Sequence, residues 1–273
     1  MRFSLSVNLS DILTEKKSIL ENLFSWGSIF DNGFYPGRVF RLVKEAKLDG
    51  IELIASKDIK TKDFERVKKI LDENNVPVLS LHQPILTLYR ISFDGIKRLF
   101  EAAGRLSAKV IVLHLFSLGK QIYDADFVKT LKSLEGKYRI KIGLENGTKN
   151  IIIGLKHYCY REKEFSEIMA KLGLGITFDP THLAQANSGD IVGFYKKNKK
   201  HIVNIHLSDY KYGWLPHNLF NTHLALGKGD LPIEEFLKTL KKDRYDGLLT
   251  FEINRPAKEI KKSIDFARRI MDS

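Results

Sequence analysis

The chain has 273 residues, 43% of them hydrophobic, which is enough for one large domain with a sizeable core. Its single cysteine, Cys159, excludes an intrachain disulfide and favours a reducing, cytoplasmic location. We expect no membrane span and no signal peptide, because the apolar runs are short and the start MRFSLSVNLSD looks like a first strand. The formal charge of +12 admits nucleic-acid binding, although a lysine-rich solvated surface also explains it.

Eight short apolar runs alternate with amphipathic helical stretches along the chain. The predicted strands span 3–8, 50–54, 77–82, 109–114, 140–145, 175–179, 202–206 and 248–252. The predicted helices include 62–74, 93–107, 232–242 and 257–271. Strict alternation implies parallel strands with right-handed crossovers, and eight such units fit a closed barrel better than an open sheet. The pattern predicts an α/β protein, a single (β/α)8 TIM barrel over residues 1–273.

Two connections, 9–36 and 207–231, are long and rich in aromatic residues. Both follow a strand, so both should lie on the C-terminal face of the barrel, where barrel active sites form. They could form a lid that excludes water, or they could anchor a loop or a subunit contact. The aromatic residues are Phe24, Trp26, Phe30, Phe34, Tyr35, Tyr210, Tyr212, Trp214 and Phe220.

Six predicted strands end on a residue that can bind a metal: His82, His114, Glu145, Asp179, His206 and Glu252. The ends of barrel strands converge on one cavity, so these side chains should meet there. Carboxylates crowded together would repel each other and take up protons, and a divalent cation removes that penalty. Carboxylate and imidazole suit Zn²⁺, Mn²⁺ and Mg²⁺. Glu52, inside the second strand, is expected near the cavity as an organising residue.

Two further histidines extend this set. His182 lies three residues after Asp179, and His223 lies in the long connection after the seventh strand. Each alone could equally be an ordinary loop histidine. The remaining histidines, His157, His201 and His217, lack such a placement, and His201 should lie at the opposite end of the barrel.

The motifs GIEL, LHQP, VLHLF, LEN, FDPTH, HLSD, HLALGKGD and LTFE resemble those of the xylose isomerase-like TIM barrels. The resemblance covers roughly residues 50–255. That superfamily holds sugar and sugar-phosphate isomerases and epimerases. It also holds endonuclease IV, which cuts DNA at abasic sites.

The resemblance to the isomerases and epimerases implies that this chain binds one metal through Glu145, Asp179, His206 and Glu252. Zinc or manganese is expected, with magnesium as an alternative. The two glutamates would move the proton of a substrate carbon. The substrate contacts would come from His182, His223, Lys211, Trp214 and Arg255.

The endonuclease instead binds three zinc ions through a larger ligand set. His82, His114, His182 and His223 fall on that set. Its remaining position is an aspartate in the endonuclease but Asn221 in this chain. A neutral amide oxygen binds zinc more weakly than a carboxylate, which counts against a complete third site.

The densest basic runs, 137–141, 196–200 and 241–244, should lie at the N-terminal face, away from the chemistry. A DNA-cutting barrel needs its positive surface around the catalytic mouth. The sequence therefore predicts a divalent-metal-dependent isomerase or epimerase of a sugar or sugar phosphate, which could form a homo-oligomer. The alternatives are an abasic-site phosphodiesterase that binds DNA and a non-catalytic metal-binding barrel.

Overall fold

A computed structural model describes residues 1–13, 35–55, 61–84, 91–147, 162–186, 189–213 and 221–273. Eight parallel strands close into a barrel in chain order, β1 to β8, with β8 paired to β1. The predicted (β/α)8 barrel is confirmed. The strands are β1 (Arg2–Asn8), β2 (Gly50–Ile54), β3 (Val78–His82), β4 (Val110–His114), β5 (Lys141–Glu145), β6 (Gly175–Phe178), β7 (Ile202–Leu207) and β8 (Leu248–Phe251).

Helices alternate with these strands in the described residues and pack on the outside of the barrel. The longer ones are α2 (Pro36–Glu45), α3 (Thr61–Glu73), α4 (Phe93–Arg105), α6 (Ala125–Tyr138), α7 (Glu162–Leu172), α9 (Ile191–Asn198), α10 (Ile233–Lys242) and α11 (Ala257–Asp272). Short helices follow three strand ends: α1 (Leu9–Leu13), α5 (Leu115–Leu118) and α8 (Pro180–Gln185). A short 3-10 helix, Gly119–Tyr123, leads from α5 towards α6.

Two predicted strands extend one residue past the observed strand end. β6 ends at Phe178 and β8 at Phe251, so Asp179 and Glu252 lie just past the strand ends. Asp179 leaves the strand because it caps α8: its Oδ1 accepts the N–H groups of Thr181 at 2.6 Å and His182 at 3.0 Å. Pro180 then occupies the first turn of the helix, where its missing N–H is not needed.

The barrel interior changes in character from bottom to top. At the N-terminal end, Leu79, Val110, Val112, Leu248 and Val203 form a small apolar cluster separate from the main core. Above it lies a buried polar layer, and the predicted ligands occupy the C-terminal rim. The polar layer comprises Ser4, Glu52, Ser80, Asn204 and Thr250, each 0% exposed. The interior polarity therefore increases towards the face where the chemistry is predicted.

The positive charge lies where the helices end. In a (β/α)8 barrel all the helix C-termini point to the N-terminal face, and their dipoles favour Lys and Arg in the last turn. Basic residues occupy that turn in α2, α4, α6, α7, α9, α10 and α11. Helix-end electrostatics thus explains much of the basic surface without a nucleic acid.

In the described part of the chain, no helix combines the length and apolar character that a membrane crossing requires. The predicted extent of the domain over all of residues 1–273 stays a prediction.

Candidate metal centre

Glu145, at the end of β5, lies among four imidazole rings. Its Oε2 is 2.9 Å from His114 Nε2 and 3.6 Å from His82 Nε2. Its Oε1 is 2.9 Å from His206 Nδ1 and 3.5 Å from His182 Nδ1. The strand ends therefore bring residues from four different elements onto one carboxylate.

His206, at 0% exposure, links this carboxylate to two others. Its Nδ1 lies 2.8 Å from Glu252 Oε2, and its Nε2 lies 3.1 Å from Glu52 Oε1. A ring N–H points to only one acceptor, so the single Nδ1 position cannot serve Glu145 and Glu252 together in good alignment. A cation bound jointly by His206 Nδ1, Glu145 and Glu252 would instead satisfy all three groups at once.

Three buried carboxylate oxygens lack a well-aligned hydrogen bond among the described residues, although an imidazole nitrogen lies 2.8–3.6 Å from each: Glu145 Oε2, Asp179 Oδ2 and Glu252 Oε2. Buried polar atoms are normally satisfied, and a bound ion is one accepted explanation when they are not. The three oxygens belong to three residues of the predicted ligand set. Carboxylate oxygens of this kind, next to imidazole nitrogens, fit a divalent metal ion.

His182 and His223 both tie one ring nitrogen to the backbone. His182 Nδ1 lies 3.1 Å from the Asn146 carbonyl oxygen, and His223 Nδ1 lies 3.2 Å from the Glu252 carbonyl oxygen. A proton held on Nδ1 by a carbonyl leaves the lone pair on Nε2. His182 Nε2 lies 3.6 Å from Asp179 Oδ2. The His182 and His223 rings meet edge to face, with 5.7 Å between their centroids. His223 also has φ of +47°, an uncommon backbone angle that recurs at functional sites.

The eight predicted ligands form three overlapping groups, within each of which the candidate ligand atoms lie within 4.8 Å of one another. Glu145 and Asp179 each belong to two groups. The groups are His82–His114–Glu145, Asp179–His182–His223 and Glu145–Asp179–His206–Glu252. All eight side chains are thus brought together at one end of the barrel. Their roles as ligands stay a prediction.

The electrostatics of the cluster separates its carboxylates. Burial raises the pKa of Glu145, but His182, His206 and His114 outweigh it and hold that pKa well below its usual range. Burial also raises the pKa of Asp179, and here His182 and His223 do not compensate fully. Asp179 is therefore the carboxylate whose charge is least compensated by the protein itself, which a cation would correct.

Two residues that shape the site were not predicted from the sequence. Asn146 bonds the backbone of Asp179 through both ends of its side-chain amide. Asp209 is buried and accepts four backbone N–H groups, those of Tyr210, Gly227, Gly229 and Leu231, at 2.8–3.2 Å. Two signals were available: each residue follows a predicted ligand by one or three positions, and each ends one of the quoted family motifs, LEN and HLSD.

Asp209 also fixes the loop that carries His223. Its backbone forms an antiparallel bridge with Leu224, the neighbour of His223. A side chain at Gly229 would collide with the Asp209 carboxylate and the Tyr210 carbonyl. Because Gly227 and Gly229 already donate their N–H groups to Asp209, this glycine-rich loop does not offer them to a phosphate.

The predicted substrate contacts beyond the histidines are less clearly placed. Lys211 is exposed, and its backbone N–H donates to the Asn221 carbonyl at 3.0 Å. Arg255 is half-buried, with Nη1 donating to the Asn254 carbonyl at 2.6 Å. Trp214 lies outside the described residues, as do Phe24, Trp26, Phe30, Phe34 and Phe220 of the predicted lid, together with His157 and His217.

The described aromatic residues of the second long connection are partly packed. Tyr210 is 3% exposed, Tyr212 is 46% exposed, and their rings meet edge to face at 5.2 Å. Tyr212 also donates its backbone N–H to Asp230 at 2.8 Å. This supports loop anchoring for Tyr210, while the predicted lid stays a prediction.

Known proteins share both the sequence pattern and the barrel. Residues 40–270 match the family model described as xylose isomerase-like TIM barrel. An uncharacterized protein of Methanocaldococcus jannaschii is 28% identical over 212 residues, which cover 70% of this chain and 77% of that protein.

Solved structures share the fold at low identity. The apo form of the Escherichia coli 3-keto-D-glucoside 4-epimerase superposes with a TM-score of 0.66 at 17% identity, covering 98% of this chain and 99% of the epimerase. The IolI protein, solved with a bound zinc atom, superposes with a TM-score of 0.63 at 16% identity, covering 100% of this chain and 98% of IolI.

Proposed function

The chain belongs to the xylose isomerase-like TIM-barrel family, and on that premise we propose that it is a divalent-metal-dependent isomerase or epimerase of a sugar or sugar phosphate. The observation that carries the proposal is the group Glu145–Asp179–His206–Glu252, which brings three carboxylates and one imidazole together at the C-terminal rim. The epimerase name of one structural neighbour and the zinc atom of another support it.

Bound by these four residues, a zinc or manganese ion would polarise the substrate carbonyl or hold its oxygens. One of the two ionised glutamates, Glu145 or Glu252, would take the proton of the adjacent carbon while the electron pair moves onto the carbonyl oxygen. The same proton, or one exchanged with solvent at that carboxylate, would then be returned to the substrate, in an epimerisation by way of the other glutamate. Glu145 is 3% exposed and Glu252 is half-buried, with 20% of its side chain exposed. Glu252 is therefore open enough for an abstracted proton to exchange with solvent, while Glu145 is shielded from it.

The neighbouring imidazoles keep both glutamates ready to accept a proton. Burial raises the pKa of Glu252, but His206 and His223 more than reverse this and lower it. Because the pKa of Glu145 is lowered in the same way, both carboxylates are ionised at neutral pH. His182 and His223, at the rim, would contact substrate hydroxyls or a phosphate, and Lys211, Trp214 and Arg255 remain candidates for the same role.

Proton exchange tests this function whichever sugar is the substrate. The metal-loaded protein is incubated in D2O with ketoses, aldoses and their phosphates, and NMR follows deuterium at the carbon beside the carbonyl. We expect exchange with at least one compound and its loss in Glu145→Gln and Glu252→Gln. Metal binding without exchange in a broad panel would favour the non-catalytic barrel.

A second candidate, an abasic-site phosphodiesterase, is favoured by the three overlapping ligand groups. Clustered metal ions could activate a water and stabilise the leaving oxygen of a phosphodiester. Asn221, in place of a carboxylate, and the position of the basic runs argue against it. Metal analysis separates the two: about one ion per chain fits the isomerase. Two or three zinc ions with cleavage of an abasic duplex would favour the nuclease.

A further inference from the structure

Glu52 contributes no atom to any of the three ligand groups, yet it is fully buried directly behind one of the proposed ligands. It projects from β2 into the barrel interior. His206 Nε2 lies 3.1 Å from Glu52 Oε1 and 3.3 Å from Glu52 Oε2. A buried carboxylate at this position needs an explanation, because an ionised group without partners is expensive to bury.

The two oxygens of Glu52 have different surroundings. Oε2 accepts hydrogen bonds from Ser80 Oγ at 2.7 Å and Asn204 Nδ2 at 3.0 Å, and it is also the oxygen that bonds His206 Nε2, at 3.3 Å. Oε1 faces His206 and accepts a longer bond from Ser6 Oγ at 3.4 Å. The Oε2 side is therefore strictly an acceptor position.

The amide of Asn204 is itself held in one orientation. Its Oδ1 accepts the Thr250 hydroxyl at 2.8 Å, and Thr250 Oγ1 lies 2.7 Å from Ser4 Oγ. Turning the amide over would place its oxygen against Glu52 Oε2. Two acceptors would then face each other with no hydrogen between them. A buried chain from Ser4 through Thr250 and Asn204 thus fixes Glu52 as the acceptor for His206 Nε2.

We propose that Glu52 is a positioning residue that holds the imidazole proton of His206 on Nε2 and leaves Nδ1 as the atom that binds the metal. Nδ1 is the nitrogen that faces Glu145 Oε1 at 2.9 Å and Glu252 Oε2 at 2.8 Å. A carboxylate behind a ligating imidazole fixes its tautomer and makes its lone pair more basic. This inference rests on the proposed function of the same site.

The substitution Glu52→Gln should remove the preference for a proton on His206 Nε2. Ser80 and Asn204 donate to the Oε2 position, so they require the amide oxygen of the glutamine there. The amide nitrogen must then occupy the Oε1 position, 3.1 Å from His206 Nε2, where an N–H on each atom would point at the other. The neutral amide oxygen at the Oε2 position also accepts from Nε2 more weakly than a carboxylate does. Both changes disfavour a proton on Nε2 and favour one on Nδ1, the metal-facing atom.

Two measurements test this, both independent of turnover. The first is the nitrogen-15 NMR spectrum of the His206 ring in the zinc-loaded wild-type protein, where we expect a proton on Nε2 and zinc on Nδ1. The second is the zinc dissociation constant, measured by competition with a chelator. We expect it to rise about 10- to 100-fold in Glu52→Gln.

Two control variants isolate the cause. Ser80→Ala removes one of the donors to Glu52 Oε2 but keeps the carboxylate and the bond from Asn204, so the tautomer and the zinc affinity should stay close to those of the wild type. Glu45→Gln removes one negative charge from the exposed end of α2 and should change neither.

A wild-type spectrum with zinc on Nε2 would overturn the inference even if Glu52→Gln fails to fold. Unchanged zinc affinity in a folded Glu52→Gln would overturn it as well, while leaving the proposed function intact. A wild-type chain that binds no zinc, manganese or magnesium would overturn both.

Discussion

The side-chain amide of Asn146 holds both backbone polar groups of Asp179: its Oδ1 accepts the Asp179 N–H at 2.7 Å, and its Nδ2 donates to the Asp179 carbonyl at 2.9 Å. The carbonyl of Asn146 also accepts from His182 Nδ1 at 3.1 Å. Asn146, just past the end of β5, therefore positions two candidate ligands that follow β6. The site is preorganised by protein contacts that do not involve a metal.

Replacing Asn146 with alanine should destabilise the protein. The substitution leaves the buried N–H of Asp179 without a partner and removes one of the two donors to its carbonyl, which Leu183 N–H still reaches at 3.2 Å. We expect a loss of about 2 kcal/mol in the free energy of unfolding. Urea denaturation of the metal-free protein measures it. Asn74→Ala is a matched control, because Asn74 bonds the Ile70 carbonyl at 2.8 Å on an exposed surface. That control should change stability by less than about 0.5 kcal/mol. Equal losses of stability in both variants would mean that Asn146 does not hold the Asp179 backbone in place.

Asp179→Asn should separate metal binding from helix capping. Asparagine is also a good N-cap, so the bonds to Thr181 and His182 survive and the stability of the metal-free protein should change by less than about 1 kcal/mol. The negative charge on Oδ2 is lost, so metal occupancy and activity should fall sharply. Asp190→Asn, at an exposed cap that bonds Gly193 at 2.7 Å, should leave metal content unchanged. Normal metal content in both variants would mean that Asp179 is only a cap.

His182→Ala should still bind the metal held by Glu145, Asp179, His206 and Glu252 but should lose turnover. His182 lies outside the group Glu145–Asp179–His206–Glu252, yet it faces Asp179 Oδ2 at 3.6 Å from the rim. Metal content and the rate of proton exchange are measured on the same preparation. His201→Ala, at the exposed opposite end of the barrel, serves as the control. A variant that loses all its metal would assign His182 to the first metal itself.

Metal binding should release at least one proton per ion near neutral pH. Burial lowers the pKa of His206, but Glu52, Glu252 and Glu145 together raise it well above its usual range. The metal-free ring is therefore protonated at neutral pH, and a metal on Nδ1 must displace that proton. Affinity should fall as the pH falls, beginning above the usual histidine pKa. Calorimetry in buffers of different ionisation enthalpy counts the protons, and a count of zero would contradict the assignment.

Duplex DNA should bind weakly and independently of the metal. The basic runs follow helix C-termini at the N-terminal face, and one of their lysines, Lys199, is paired with Asp243 at 2.8 Å. Affinity for a duplex with an abasic site, measured with and without zinc across a range of salt, should be low and equally salt-dependent in both cases. Tight binding that requires zinc would instead support the nuclease.

The order and spacing of the residues are enough to establish the architecture and the identity of the clustered side chains. Alternating short apolar runs and amphipathic helices specify a parallel barrel, because each period allows only one kind of element to bury its apolar face. Since the carboxyl ends of parallel barrel strands meet at one face, six polar residues at strand ends had to converge. The basic runs were placed at the N-terminal face in the same way, because they stand at or just before the starts of predicted strands.

The orientation of each ligand candidate depends instead on the folded chain. That Asp179 caps α8 with Oδ1 and leaves Oδ2 without a donor depends on one oxygen pointing at a helix end. Asn146 bonds the backbone of Asp179, 33 positions away, and Glu52 bonds His206, 154 positions away. Hydrogen bonds require distances and angles fixed to fractions of an ångström. Sequence periodicity places a residue on a face of the barrel, but only the packed chain fixes its atoms that closely.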